Sequence, residues 1–236
     1  MPRSEKPLKS PSELTIRLET GADTIALVYP TTDSPIGATL ILGHGAGAGQ
    51  RSAFMIAVSR ALADRGVDVV TFNFLYIEQR RKIPDRGPAL ESCYRAVVER
   101  IGDEIESAKR FTFIGGKSMG GRIATQLAAS DRALPIAGLV LLGYPLHPPG
   151  RPDQRRDKHL PSVERPMLFV QGSRDAFGSP VELAPVVTAL GPTASLHVVE
   201  GGDHSLTVRT KQKDAVFARV LDQTAAWITK ATGHRP

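Results

Sequence analysis

Apolar and polar residues alternate along Leu14-Thr15-Ile16-Arg17-Leu18, as on a half-exposed strand. A Gly21-Ala22-Asp23 turn leads into Ala26-Leu27-Val28-Tyr29, which predicts an antiparallel hairpin. The pattern then changes. Ala38-Thr39-Leu40-Ile41-Leu42 is a continuous apolar run, suited to a central strand buried on both faces. From there strand-like and helix-like stretches alternate. Strands are expected at 67–72, 111–114, 136–142, 166–170 and 196–199. Helices are expected at 52–65, 89–108, 123–129, 180–190 and 214–229, with Pro185 bending the fourth or marking its start. Residues 77–87 read as a polar loop and 144–161 as a long loop rich in Pro and Arg. This alternation predicts a mostly parallel sheet with helices on both faces, whose ligands bind at the carboxyl ends of the strands.

One strand–helix junction carries a chemical pattern. Gly116-Lys117-Ser118-Met119-Gly120 fits G-x-S-x-G, the turn that lifts a serine above a sheet at the start of a helix. Small residues two before and two after the serine let strand and helix approach closely. The same residues invite a phosphate-loop reading, since Gly116-Lys117-Ser118 matches the end of G-x-x-x-x-G-K-[ST]. That pattern needs a glycine at 111, where Phe111 stands.

A serine needs a base, and the base an orienting acid. Downstream strand ends supply both in the order Ser, Asp, His: Asp175 in Gln171-Gly172-Ser173-Arg174-Asp175, and His204 in Glu200-Gly201-Gly202-Asp203-His204. Asp203 adjoins His204 and is poorly placed to face it. His197, inside a strand, and His147, His159 and His234 are weaker candidates for the base. The Gly-rich stretch Gly43-His44-Gly45-Ala46-Gly47-Ala48-Gly49 follows the central strand. As G-x-G-x-x-A it resembles a dinucleotide fingerprint, but the next strand ends in Asn73-Phe74 rather than in an acidic residue. The better reading is an oxyanion loop, with the N–H of Ala46 joining that of Met119 and His44 bracing the turn.

Bulk properties narrow the class. The 236 residues suffice for one sizeable α/β domain, expected over 11–232 after a flexible tail at 1–10. The net charge of +6 leans basic, yet aromatics do not interleave with the basic groups, so nucleic acid is not an expected partner. Cys93 is the single cysteine, which excludes an intrachain disulfide and a cysteine-rich metal site. No His, Asp or Glu cluster has metal-ligand spacing, and no cofactor is expected. No apolar run approaches the length of a membrane span, and the basic N-terminus lacks the apolar stretch of a secretory signal, so a cytoplasmic location is the default.

With these residues in place the chain resembles the α/β-hydrolase superfamily, nearest the small hydrolase-like group that includes testis-expressed protein 30 and a subunit of the NSL acetyltransferase complex. It is also similar to dienelactone hydrolases. The shared stretches are Gly43-His44-Gly45-Ala46-Gly47, Asn73-Phe74 with Tyr76 and the Arg80-Arg81 to Pro84 segment, Gly115 to Arg122, Gly143-Tyr144-Pro145-Leu146-His147, Gln171 to Asp175 and Gly202-Asp203-His204-Ser205. The resemblance implies a three-layer α/β/α sandwich with a mostly parallel eight-stranded sheet, the second strand antiparallel. It implies Ser118 as nucleophile, Asp175 as acid and His204 as base. Dienelactone hydrolases proper carry a cysteine at the elbow where this chain has Ser118, which favours a serine carboxylesterase acting on small acyl esters. The group also contains interaction subunits, so a non-catalytic hydrolase-like binding module is the alternative. No insertion after the strand at 136–142 is large enough for a cap domain. An open cleft is therefore expected, shaped by Phe74, Tyr76, Tyr144 and Phe177. Arg80, Arg81 and Arg151 are candidates for contacts with an anionic substrate, though solvated surface is their simpler role.

Overall fold

The computed structural model describes residues 10–233, so the tail expected at 1–10 lies outside the described residues apart from Ser10. Eight strands form one sheet: β1 (Ser12–Arg17), β2 (Asp23–Tyr29), β3 (Thr39–Gly43), β4 (Asp68–Phe72), β5 (Thr112–Lys117), β6 (Gly138–Leu142), β7 (Met167–Gly172) and β8 (Ala194–Val199). Their spatial order is β1-β2-β4-β3-β5-β6-β7-β8. Strand β2 runs antiparallel to both of its neighbours, and every pair from β4 to β8 is parallel. The chain winds outward from β3 to β4, then crosses back to β5. The carboxyl ends of β3 and β5 therefore flank the point where the winding reverses, the usual crevice for a ligand in such sheets.

The period-two pattern of the strands divides the core into two layers. Ile41, Ile114, Leu139, Leu141, Met167 and Phe169 face one side and pack under α3 (Gly87–Glu104), α5 (Met119–Ser130) and α6 (Pro180–Ala189). Leu40, Leu42, Phe113, Val140, Leu168 and Val170 face the other and pack under α1 (Ala53–Ala63) and α7 (Lys213–Ala231). Neither face is open to water, which accounts for the unbroken apolar runs of the central strands. Between β6 and β7 the chain holds only a 3-10 turn at Leu160–Ser162, so no cap domain covers the sheet there.

Two elements depart from the expected pattern. The helix expected over 89–108 is broken at Ile105, whose extended backbone separates α3 from the short α4 (Glu106–Arg110). The break turns the chain so that Thr112 enters the sheet while Ala108 stays buried. Overlapping the start of the expected 77–87 loop, Leu75–Glu78 form a single helical turn, α2. The Glu78 carboxylate fixes that turn to the sheet by accepting from Ile25 N–H (3.2 Å) and Asn73 Nδ2 (3.1 Å). Pro185 lies inside α6, which starts at Pro180 with the Glu182 carboxylate reaching back to Ser179 N–H (2.8 Å).

Tyr94 on α3 ties the sheet together beneath the crevice. Its fully buried hydroxyl lies 2.7 Å from Ile41 O and 2.6 Å from Gly115 O, and accepts from Gly115 N–H at 2.9 Å. Replacing Tyr94 by Phe keeps the ring but leaves these buried groups short of a partner. We expect urea unfolding to report a loss of about 1–3 kcal/mol; an unchanged midpoint would mean the hydroxyl adds nothing to the β3–β5 junction.

Candidate active site

Ser118 is the hinge between β5 and α5. Its backbone adopts φ 50° and ψ −111°, a conformation that L residues rarely take. The neighbouring glycines make the turn feasible. A Cβ on Gly116, itself at φ +149°, or on Gly120 would collide with the carbonyl of Gly43 at the end of β3. The elbow therefore rests directly on the β3 backbone. Met119 opens α5, so its N–H has no partner within the helix.

Three strand ends bring the chemical groups together. Ser118 Oγ lies 2.8 Å from His204 Nε2. His204 Nδ1 lies 2.9 and 2.8 Å from the two carboxylate oxygens of Asp175. Asp175 is buried, whereas the His204 side chain keeps 22% of its surface. The carboxylate makes Nδ1 the donor and leaves Nε2 to accept from the serine. Asp203 is turned into its own loop, accepting from Ser205 N–H (2.8 Å) and Thr207 N–H (3.0 Å).

The Gly-rich loop after β3 stands across from the elbow. His44 is buried and donates from Nδ1 to Gly45 O (2.8 Å), while its Nε2 accepts from Phe74 N–H (3.1 Å). Burial lowers the His44 pKa to about 4, so the ring is a neutral brace. Tyr76 Oη donates to Ala46 O at 2.9 Å and pins the tip of the loop. Ala46 and Met119 both line a cleft of about 590 Å³ that also contains Ser118, His204, Phe177, Phe54, Arg122 and Arg156.

The structure corrects three of the four expected cleft residues. Phe177 is in the cleft and stacks on the His204 ring, with centroids 4.0 Å apart. Phe74, Tyr76 and Tyr144 are buried and do not line it. Phe74 packs edge-on against His44, Phe72 and Tyr94. Tyr76 spends its hydroxyl on Ala46 O, and Tyr144 spends its own on Arg156 O (2.7 Å). These three rings pack inward beneath the loops instead of facing the opening.

Two supporting residues lie within shared stretches of the sequence that assign them no role. Gln171 is wholly buried and its Nε2 donates to Asp175 Oδ2 (2.8 Å) and Gly178 O (2.7 Å), while its Oε1 accepts from Tyr144 N–H (2.8 Å). With Phe177 N–H on Asp175 Oδ1 (2.8 Å), it fixes the carboxylate plane. Lys117, next to Ser118, donates from Nζ to the backbone carbonyl of His204 and lies over the Phe54 ring at 5.6 Å. Only the strict order of the G-x-S-x-G pattern hinted at position 117, and it left that residue free.

A family model described as an alpha/beta hydrolase domain matches residues 37–232, and the chain belongs to that family. Solved structures agree on the fold. An alpha-beta serine hydrolase homologue from Coxiella burnetii has a TM-score of 0.73 at 16% identity, covering 93% of this chain and 99% of that one. A lidless a/b serine hydrolase from Xanthomonas campestris has a TM-score of 0.73 at 21% identity, covering 94% and 97%. A dienelactone hydrolase from Anabaena variabilis has a TM-score of 0.69 at 17% identity, covering 94% and 99%. Among the described residues no helix is long and apolar enough to cross a membrane.

Lys117 makes this site sensitive to pH in a defined direction. Burial lowers its pKa to about 8, with Asp175 and Asp203 opposing the shift. The unfolded chain holds the proton up to its ordinary value near ~10.4. Above that value the residue's contribution is complete, and it is lost as pH falls through about 8. The stability of the wild type relative to Lys117→Met should therefore rise across that window, by about 1 kcal/mol per pH unit. Urea unfolding at several pH values checks this, and a flat difference would show that the amine is not desolvated.

Proposed function

We propose that this chain is a serine carboxylesterase acting on small acyl esters. The observation that carries the reading is the continuous relay from Ser118 Oγ to His204 Nε2 (2.8 Å) and from His204 Nδ1 to Asp175 (2.8 Å), opening on an uncapped cleft. Both distances fall within the reach that proton transfer needs, about 2.6–3.2 Å.

In the proposed cycle His204 takes the hydroxyl proton as Ser118 attacks the acyl carbon. The tetrahedral oxyanion is met by the N–H groups of Ala46 and Met119. Asp175 stabilises the imidazolium without taking its proton. His204 then protonates the leaving alkoxide, and the alcohol departs. Water enters, gives its proton to His204 and attacks the acyl-enzyme, releasing the acid and restoring Ser118. Every step uses the chain's own groups and water.

The strained Ser118 backbone supports the reading as well. A non-catalytic module has no need to hold a serine at φ 50°, a conformation costing about 1–3 kcal/mol. A fluorophosphonate probe should label the wild type and fail to label Ser118→Ala. Asp175→Asn should keep the fold and lose about 10⁴ in kcat on para-nitrophenyl acetate. A wild type that neither takes the probe nor cleaves short-chain esters overturns the esterase in favour of the hydrolase-like interaction module.

A further inference from the structure

The cleft beside Ser118 is not electrically balanced. Arg122 and Arg156 both line it, one from α5 and one from the 143–166 loop. Arg122 lies one helical turn beyond the nucleophile, its N–H bonded to Ser118 O at 3.0 Å. Its Nε is buried and has no hydrogen-bond partner. Among the described residues neither guanidinium joins an ion pair or a hydrogen bond.

The carboxylates that might neutralise the pair are engaged elsewhere. Asp85 lines the same cleft but pairs with Arg81 (2.5 Å). Asp157, next to Arg156 in the chain, pairs with Arg155. Glu182 accepts from Ser179 and meets His147 Nε2 at 3.1 Å. His159, close to Arg122, is held neutral by burial and by that guanidinium, which lower its pKa to about 4. Burial and the neighbouring Arg122 charge also lower the Arg156 pKa. Two neighbouring like charges without a counter-ion, one partly desolvated and the other with a buried, unpartnered Nε, cost stability. A bound anion would offset that cost.

We infer that Arg122 and Arg156 form an anion subsite of the Ser118 cleft, selecting esters that carry a carboxylate or phosphate near the scissile carbonyl. This rests on the esterase reading for its chemistry, not for its binding. The pair also replaces the expected candidates. Arg80, Arg81 and Arg151 are exposed and off the cleft, and Arg81 is tied to Asp85. A guanidinium suits the task because its planar donors meet a carboxylate or phosphate in pairs.

The test compares matched esters. For the carboxylate, mono-para-nitrophenyl adipate is set against para-nitrophenyl hexanoate; for the phosphate, the para-phosphate derivative of phenyl acetate is set against phenyl acetate. At low salt the anionic member of at least one pair should show a kcat/KM on the order of tenfold higher, declining as ionic strength rises. Which pair responds identifies the anion. Arg122→Gln and Arg156→Gln should each lower that ratio by about tenfold, each variant being its own reference through the neutral ester. Should either variant fail to fold, the wild-type ratio and its salt dependence decide. Equal turnover of both members, with no salt dependence, overturns the subsite and leaves the esterase standing. Calorimetry with Ser118→Ala separates the two readings from the other side. Binding of the adipate monoester there, without any turnover by the wild type, supports the subsite and removes the esterase. Absence of binding, with no charge preference in turnover, removes the subsite.

Discussion

The close approach of the elbow to β3 is the contact on which the rest of the site depends. Gly116 and Gly120 both face the Gly43 carbonyl, and no side chain fits between them. That contact sets the height of Ser118 above the sheet and forces its backbone to φ 50°. The conformation costs about 1–3 kcal/mol and persists because buried neighbours over-determine it. Tyr94 braces the same junction from below through Ile41 and Gly115. The strain is thus held by core packing rather than by the flexible loops above.

Above the elbow the loops are fixed to one another and to the ends of β5 and β7. His204 is held at four points: its carbonyl by Lys117, its ring face by Phe177, its Nδ1 by Asp175 and its turn by Asp203. Asp175 is in turn oriented by Gln171 and by Phe177 N–H. Phe177 thus serves both ends of the pair, stacking on the His204 ring and donating to the Asp175 carboxylate. Pre-set orientation of this kind is what a relay needs if proton transfer is to occur without rearrangement. At 177 an aromatic also covers one face of the imidazole, a packing contact that a smaller residue would lose.

Sequence reasoning reached the sheet, the winding and the order of the Ser118, Asp175 and His204 loops because those signals are local. Period-two alternation, continuous apolar runs and glycines at a strand end all follow from backbone geometry near the residue itself. It did not reach the roles of Gln171 and Lys117, because each bonds a partner distant along the chain. Lys117 meets His204 and Gln171 meets Tyr144 only after the sheet has formed. The aromatics erred for a related reason. Phe74, Tyr76 and Tyr144 sit in the right loops, but a loop position does not say which side of the backbone a ring takes. At Tyr76 and Tyr144 a hydroxyl bonded to a loop carbonyl decides for the inside.

The contrast between two histidines shows how the same side chain is given opposite roles. His44 has both ring nitrogens committed to the backbone, one donating to Gly45 O and one accepting from Phe74 N–H. Protonation would place a second donor against the Phe74 N–H and bury a cation among aromatic rings, so its pKa falls to about 4. His204 has one nitrogen on a buried carboxylate and the other on a hydroxyl that can give up its proton. Its charged form gains the attraction of Asp175, and its ring reaches solvent in the cleft. The glycine-rich loop therefore leaves its histidine no ring nitrogen free to face the Ser118 hydroxyl. Of these two histidines it is His204 that turns one nitrogen to that hydroxyl and the other to a buried carboxylate.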